Sequence, residues 1–323
     1  MGTPGMWYDG WISIKKETIY GTDPGGAREA CFRVNNLDVV NDQGAEPYPS
    51  MAGPGVRGHV EGDVKASISF EVPMNYEGTG RILKALFGTY AFTANSPVAG
   101  VNKHAFSFSN IATLDSYAVE ACIGDIPSGK VFLLTGATMN SATIKMVQGG
   151  MVVMAVEMIA KHVAPNITKV GTPVYAADHP IMSHNIESPM FSGTGKDVKA
   201  LEMTIAHAMT DDRRNMKREI SQPLRGDNRT VTGTAMLEFD DLTIYNKMVG
   251  LTSGTFDFDL LSLEMAALTT PFELDFIGSN CLVKIAETGI KAVGPIDMPV
   301  SFQMRSATSE ITAELYNTET TYA

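Results

Sequence analysis

The sequence predicts a mainly β protein built from two sandwich-like or barrel-like β domains, each flanked by a short α-helix. Three observations carry this expectation. Period-two alternation dominates the chain, only two stretches show helical spacing, and one order of elements recurs in the two halves.

Apolar and polar residues alternate at Phe32 and Val34, at Val64, Ala66, Ile68 and Phe70, and through Ala105 to Phe108. The same pattern runs through Val152, Met154, Val156 and Met158, through Leu201, Met203 and Ile205, and at Phe302 and Met304. In MNSATIKMVQGGMVVMAVEMIAK, residues 139–161, two alternating runs meet at Gln148-Gly149-Gly150 and read as a strand pair. Helical spacing is clear in NYEGTGRILKALFG, where Ile82, Leu83, Leu86 and Phe87 share a face and Gly88 provides a stop. A second, shorter helix is expected in LTIYNKMVG, closed by Gly250.

The two halves repeat an order of elements. In the first, the strand CFRVNNLDVV is followed by a loop at 41–58 ending in Arg57-Gly58, a strand carrying Val60-Glu61-Gly62, and the helix. In the second, KALEMTIAHA is followed by a loop at 209–229 containing Arg225-Gly226, a strand carrying Val231-Thr232-Gly233, and the shorter helix. Each half then closes with a strand pair. The expected division is a first domain at 1–165, a linker or arm at 166–189 within a Pro/Gly/Ser/Asn-rich stretch, and a second domain at 190–323.

Composition excludes several functions. With 44% hydrophobic and 19% charged residues the chain is globular. A net charge of −11 argues against a nucleic-acid clamp or a binder of anionic membranes, both of which need surplus Lys and Arg. Cys31, Cys122 and Cys281 lack the short paired spacing of metal or redox motifs and read as reduced and structural. The N-terminal stretch is unlike a secretory leader, and no run of eighteen apolar residues occurs, so synthesis in the cytosol is expected.

Chemistry is sparse. Gly53-Pro54-Gly55-Val56-Arg57-Gly58 satisfies a dinucleotide-binding spacing, but a strand follows it where that motif needs a helix, so it reads as a flexible loop. His179 and His184 lie near Asp178 without an evident third metal ligand, and no Ser, Cys or Thr has a nucleophile setting. No enzyme, cofactor or metal is expected. The densest charge run, Asp211 to Glu219, reads either as a solvated loop or as a contact for an acidic surface. The 19 methionines suit a core or an adaptable interface, and Trp7 and Trp11 suit a core anchor or an intersubunit contact.

Taken in order, several motifs resemble siphophage tail tube proteins. They are WISIKKETIYGT at 11–22, VEGDVKASISFEV, the helix ending ALFG, TGATMNSATIKMVQGGMVVMAVEMIAKH, PLRGDNRTVTGTAMLEF and PVSFQMRSA. The resemblance has gaps at 90–115 and across the linker. It implies the major tail protein of a long, non-contractile phage tail, located in the virion, with two tail-tube-like domains. Its subunits would form rings that stack into a tube, three chains closing a pseudo-sixfold ring or six chains a hexamer. Further partners would be the tape-measure, terminator and distal tail proteins, with DNA passing through without specific binding and no membrane involved. A virion decoration protein or a receptor- or carbohydrate-binding β protein is the alternative.

The resemblance also assigns the two long loops to ring stacking. Pro47, Pro49 and Pro54 would restrain the first, with Arg57 at its end, and Arg213, Arg214, Lys217 and Arg218 of the second would meet carboxylates on the next ring. The excess of 36 acidic over 25 basic residues is expected to line an acidic lumen.

Overall fold

A computed structural model describes residues 10–26, 30–49, 56–109, 112–123, 130–168, 173–267, 270–286, 297–305 and 310–322. The first half contains strands β1 (Trp11–Lys16), β2 (Ala30–Arg33), β3 (Asn36–Asp42), β4 (Ala45–Pro49), β5 (Val56–Glu61) and β6 (Lys65–Pro73), then helix α1 (Thr79–Phe87). Strands β7 (Gly88–Thr93), β8 (Asn102–Phe108), β9 (Ser116–Cys122), β10 (Lys130–Val147), β11 (Val153–Ala160) and β12 (His162–Thr168) follow. The second half contains β13 (Ile186–Phe191), β14 (Thr194–Gly195), β15 (Val198–Ala206) and β16 (Thr230–Glu238), then helix α2 (Thr243–Val249). It closes with β17 (Gly254–Ala267), β18 (Thr270–Ala286), β19 (Asp297–Met304) and β20 (Thr312–Asn317). The protein is mainly β, as its alternation predicts.

Two long strands organise the fold. The N-terminal part of β10 pairs with β9 on one edge and β12 on the other, while its C-terminal part pairs with β15 and β11. It therefore changes partners on both edges near Gly136, which has φ +66° and sits in a register irregularity between Leu134 and Ala137. A side chain at Gly136 would stand 2.7 Å from Lys161 Cβ and 3.0 Å from the Tyr20 ring, so glycine is required there.

β18 repeats the pattern: its N-terminal part pairs with β17 and β20, and its C-terminal part with β19. The correspondence extends along both halves. β3–β6–β11–β10 in the first matches β15–β16–β19–β18 in the second, every pair antiparallel. Even a bulge recurs, between Met139 and Ser141 in β10 and between Val283 and Ile285 in β18. The β10–β15 ladder joins these two sets into one eight-stranded sheet, and a single apolar core spans both halves.

Three local expectations need correction. CFRVNNLDVV is two strands, because β2 pairs with β1 and β3 with β6, with the chain changing partners at Val34 and Asn35. The described residues of 41–58 are largely strand, comprising the end of β3 and most of a separate hairpin, β4–β5, whose register sets Pro47 opposite His59. Val60-Glu61-Gly62 ends that hairpin, so the counterpart of the strand carrying Val231-Thr232-Gly233 is β6.

α1 forms where the sequence places it. Its apolar residues Ile82, Leu83, Leu86 and Phe87 are fully buried, Phe87 stacks on Phe108 at 4.7 Å, and Gly88 closes the helix at φ +80°. α2 buries Ile244, yet Gly250 keeps a right-handed φ of −80° and Leu251 takes the left-handed turn at +48°. Among the described residues β7 and β8 have no counterpart in the second half. They fall largely within the 90–115 gap in the resemblance, and β8 adds itself to β20.

Segment 166–189 is described at 166–168 and 173–189. It lies against the first half through bridges Cys31↔Tyr175, Asn75↔Pro180 and Met151↔Met182, with Ile181 fully buried, before β13 pairs with β17.

Candidate assembly surfaces

Strand alternation gives the eight-stranded sheet two unlike faces. The inner face carries Ile68, Phe70, Ile144, Met154, Met158, Leu201, Met203, Val300 and Phe302, all buried. Met154, Met158 and Met203 thus lie in the core, where a flexible thioether fills irregular space, whereas Met151 at the turn is exposed. Each fully buried side chain of this size contributes about 1.5–3 kcal/mol.

The outer face is polar and fine-grained. One cross-strand row reads Asn36, Glu71, Ala155, Thr143, Thr204, Thr232, Gln303, with the Thr143 and Thr204 hydroxyls 2.9 Å apart. A neighbouring row sets Asp38, Ser69, Glu157 and Ser141 side by side, and Ser141 donates to Glu157 at 3.1 Å. Among the described residues of this face, the carboxylates Asp38, Asp42, Glu71, Glu157, Glu202, Glu238 and Asp297 outnumber the lysines Lys65, Lys145, Lys199 and Lys284. The balance is acidic.

The second surface joins the two long insertions. Hairpin β4–β5 is held at its foot by the 209–229 segment: Arg218 pairs with Glu61 at 2.5 Å and donates to the Gly62 carbonyl at 3.0 Å. Arg214 pairs with Asp63 at 3.4 Å and donates to the Val64 carbonyl at 3.2 Å. Gly44 and Gly62 permit the close approach, since a Cβ on Gly62 would lie 2.1 Å from the Gly44 carbonyl.

The carboxylates that Arg214 and Arg218 meet are therefore in their own chain. The exposed Arg213 donates to the Gln222 carbonyl, and Lys217 is exposed beside the fully exposed Met216. Asn215 and Met216 both have positive φ, a local strain that sets the loop tip. Pro47 is exposed on β4, Pro49 and Arg57 lie in the hairpin strands, and Pro54 falls outside the described residues, as does the first half of the 53–58 glycine motif.

A third feature went unread in the sequence. Glu187, Asp259, Asp275 and Glu314 sit opposite one another across β13, β17, β18 and β20, with Glu273 beside them. Asp275 is 8% exposed and its Oδ1 has no hydrogen-bond partner among the described residues. Burial, then the charges of Glu273 and Asp259, push its carboxyl up to about 9, so it holds its proton at neutral pH. The signal lay in FDFDL and FELDF, where acids alternate with core residues. Lys103 pairs with Glu314 at 2.6 Å at the end of the row.

The histidines serve the fold. His104 is fully buried between Tyr90 and Asn317, each at 2.9 Å. His207 donates from Nε2 to the Leu86 carbonyl at 2.7 Å, tying the end of β15 to α1, and burial lowers its pKa to about 4. His179 stacks on Phe272 and meets Glu264, Asp178 pairs with Arg33, and His184 is exposed. Among the described residues no three potential ligands converge for a metal ion. Cys31, Cys122 and Cys281 are all buried.

A duplicated sheet with one buried and one polar face, together with a separate two-stranded hairpin, defines a mainly β protein built on an internal repeat. The family model for phage tail tube proteins matches residues 9–304, and the chain belongs to that family. Its role is structural, in the phage tail. No curated protein matches the chain, and no helix among the described residues is long and apolar enough to cross a membrane.

Proposed function

We propose that this chain polymerises into stacked rings whose bore conducts phage DNA, with the polar face of the eight-stranded sheet forming the lumen wall. The observation that carries the reading is the division of that sheet into a buried apolar face and an outer face of Ser, Thr and surplus carboxylates. A conduit must not bind its cargo. Carboxylates repel phosphate, and short hydroxyl side chains leave a smooth wall without cationic footholds.

The remaining assignments follow from the same reading. Residues 1–165 and 190–323 are two tail-tube domains, with 166–189 as the arm between them, and a ring holds three chains or six. Hairpin β4–β5 and the 209–229 segment, with Pro47, Pro49, Pro54, Arg57, Arg213, Arg214, Lys217 and Arg218, reach the adjacent ring. In this role Arg214 and Arg218 brace the projection from within, while Arg213, Met216 and Lys217 present its tip. Tape-measure, terminator and distal tail proteins meet the tube at its bore and ends.

Electron microscopy of the purified full chain tests the proposal. Hollow tubes or stacked rings are expected, and a protein that stays monomeric at high concentration would overturn it.

A further inference from the structure

The strands β13, β17, β18 and β20 carry a charge arrangement that the single chain does not balance. Their register sets Glu187 opposite Asp259, Asp259 opposite Asp275, and Asp275 opposite Glu314, so four carboxyls stand side by side. Asp257 and Glu273 flank the row on the same face, while Phe256, Phe258, Leu274, Phe276 and Leu315 point the other way into the core. Like charges directly opposite one another across a ladder repel. Among the described residues, Lys103, paired with Glu314, is the single cation in an ion pair with these six carboxyls. Asp275 adds a second observation. It is 8% exposed, and its Oδ1, on the outward side between Asp259 and Glu314, has no hydrogen-bond partner among the described residues. A buried acceptor left without a donor is costly, so its presence points to a donor supplied from outside the chain.

We infer that this row receives the projection tip of a second copy, with that copy's Arg213 and Lys217 seated among Glu187, Asp259, Asp275 and Glu314. The inference rests on the tube reading and names the acceptor surface for its stacking contact. A guanidinium or ammonium group there brings several donors to the row and supplies the one that Asp275 lacks.

Complementarity selects that occupant. Of the four basic residues in the 211–219 run, Arg214 and Arg218 are engaged with Asp63 and Glu61 of their own chain. Arg213 and Lys217 are exposed, and neither is in an ion pair among the described residues. Between them the positive-φ residues Asn215 and Met216 form the turn, and Met216 is fully exposed. The row offers an apolar counterpart in Ile277, which is 41% exposed and lies opposite Asp257 and Thr312. Among the described residues no three carboxyls converge on one point. A row spread over four strands, about 14 Å, suits separate side-chain cations better than one metal ion. The polar face of the eight-stranded sheet is a poorer acceptor, because lysines are interspersed there, with Lys199 paired to Asp297 and near Glu238.

Charge reversal in the full chain tests the inference. Arg213→Glu with Lys217→Glu is expected to leave the thermal midpoint no lower and to shorten tubes roughly tenfold in electron micrographs. Glu187→Lys with Asp259→Lys is expected to do the same. All four changes in one chain recreate the complementarity and should restore tube length. Normal tube length in either double variant overturns the contact and leaves the tube reading standing, as does a combined variant no longer than the double ones. Carbodiimide coupling of unmodified tubes gives a readout that needs no variant to fold. In tubes grown from isotopically labelled and unlabelled copies, mass spectrometry should find an amide joining Lys217 of one copy to Glu187, Asp259 or Glu314 of another. Tubes in which the row couples only to other lysines, or Lys217 does not couple to the row, overturn the contact. Failure of the unmodified chain to assemble overturns the tube reading itself.

Discussion

Arg218 Nη1 lies 2.5 Å from Glu61 Oε2, and the same guanidinium donates from Nε to the Gly62 carbonyl at 3.0 Å. One side chain from the second half thereby holds the foot of a hairpin from the first, across 157 residues of sequence. Two insertions that look independent in the sequence form a single projection.

Arg218→Ala should separate foldedness from assembly. The ion pair is largely solvent-exposed and worth at most about 1 kcal/mol, so the thermal midpoint should move little. Exchange of amides 56–61 should quicken, and tubes should be shorter. Replacing 43–55 with a short Gly-Ser linker should go further and give folded rings that do not stack, seen by microscopy. Normal tube length in that variant removes the hairpin from stacking.

Reversing charge on the polar sheet face should change cargo handling without preventing assembly. Glu157→Lys with Glu202→Lys converts two outward carboxylates into cations that attract phosphate. Tubes of this variant should retain DNA in a co-sedimentation assay, more at 50 mM than at 200 mM salt, whereas unmodified tubes retain none. Equal retention by both would move the lumen to another face.

Asp275 should make the protein less stable as pH rises. Its folded pKa is raised, so it stays protonated in the folded chain while the unfolded chain releases the proton above about 4. Its contribution is thus fully favourable below about pH 4 and declines up to about pH 9. Asp275→Asn should raise the thermal midpoint by a few degrees at pH 8 and leave it nearly unchanged near pH 4. A melting series across that window reads the difference.

Gly80→Ala should loosen the C-terminal segment. A methyl group there would stand 2.2 Å from the Tyr322 ring, and that residue is almost fully buried, with its ring stacked on His104 at 4.4 Å. Displacing it should cost about 1–3 kcal/mol by overpacking, visible in a denaturant titration. The Arg81–Glu319 pair at 2.7 Å, itself mostly buried, loses its alignment in the same event.

Local periodicity made much of this architecture readable. Ile82, Leu83, Leu86 and Phe87 announce α1 because 3.6-residue spacing is a property of one segment, and Met154, Val156 and Met158 announce β11 for the same reason. Features that depend on partners were hidden. β10 reads as an ordinary strand because nothing in Thr135-Gly136-Ala137 says that its two parts take different partner strands. Pro47 and Pro49 make β4 look like a loop, although a strand in a two-stranded hairpin has an open side where proline is tolerated. The acids of FDFDL and FELDF are in plain view, but their row needs the cross-strand register. Of the surface residues singled out for stacking, Arg214 and Arg218 were read as reaching outward because the positions of Asp63 and Glu61 relative to them depend on the tertiary fold.

The β10–β15 ladder also bears on how the tube is nucleated. A contact of this type between separate chains forms at a rate set by protomer concentration, and each additional chain raises the order of the nucleation step. Here the two strands are tethered, and they meet at an effective concentration fixed by the 50 or so residues between them, on the order of millimolar. With two equivalent tail-tube domains per chain, as proposed above, every second junction of a closed ring would already be complete when the chain has folded. Assembly therefore has half the molecularity of a ring with the same number of unlinked repeats, and it should start at correspondingly lower protein concentrations.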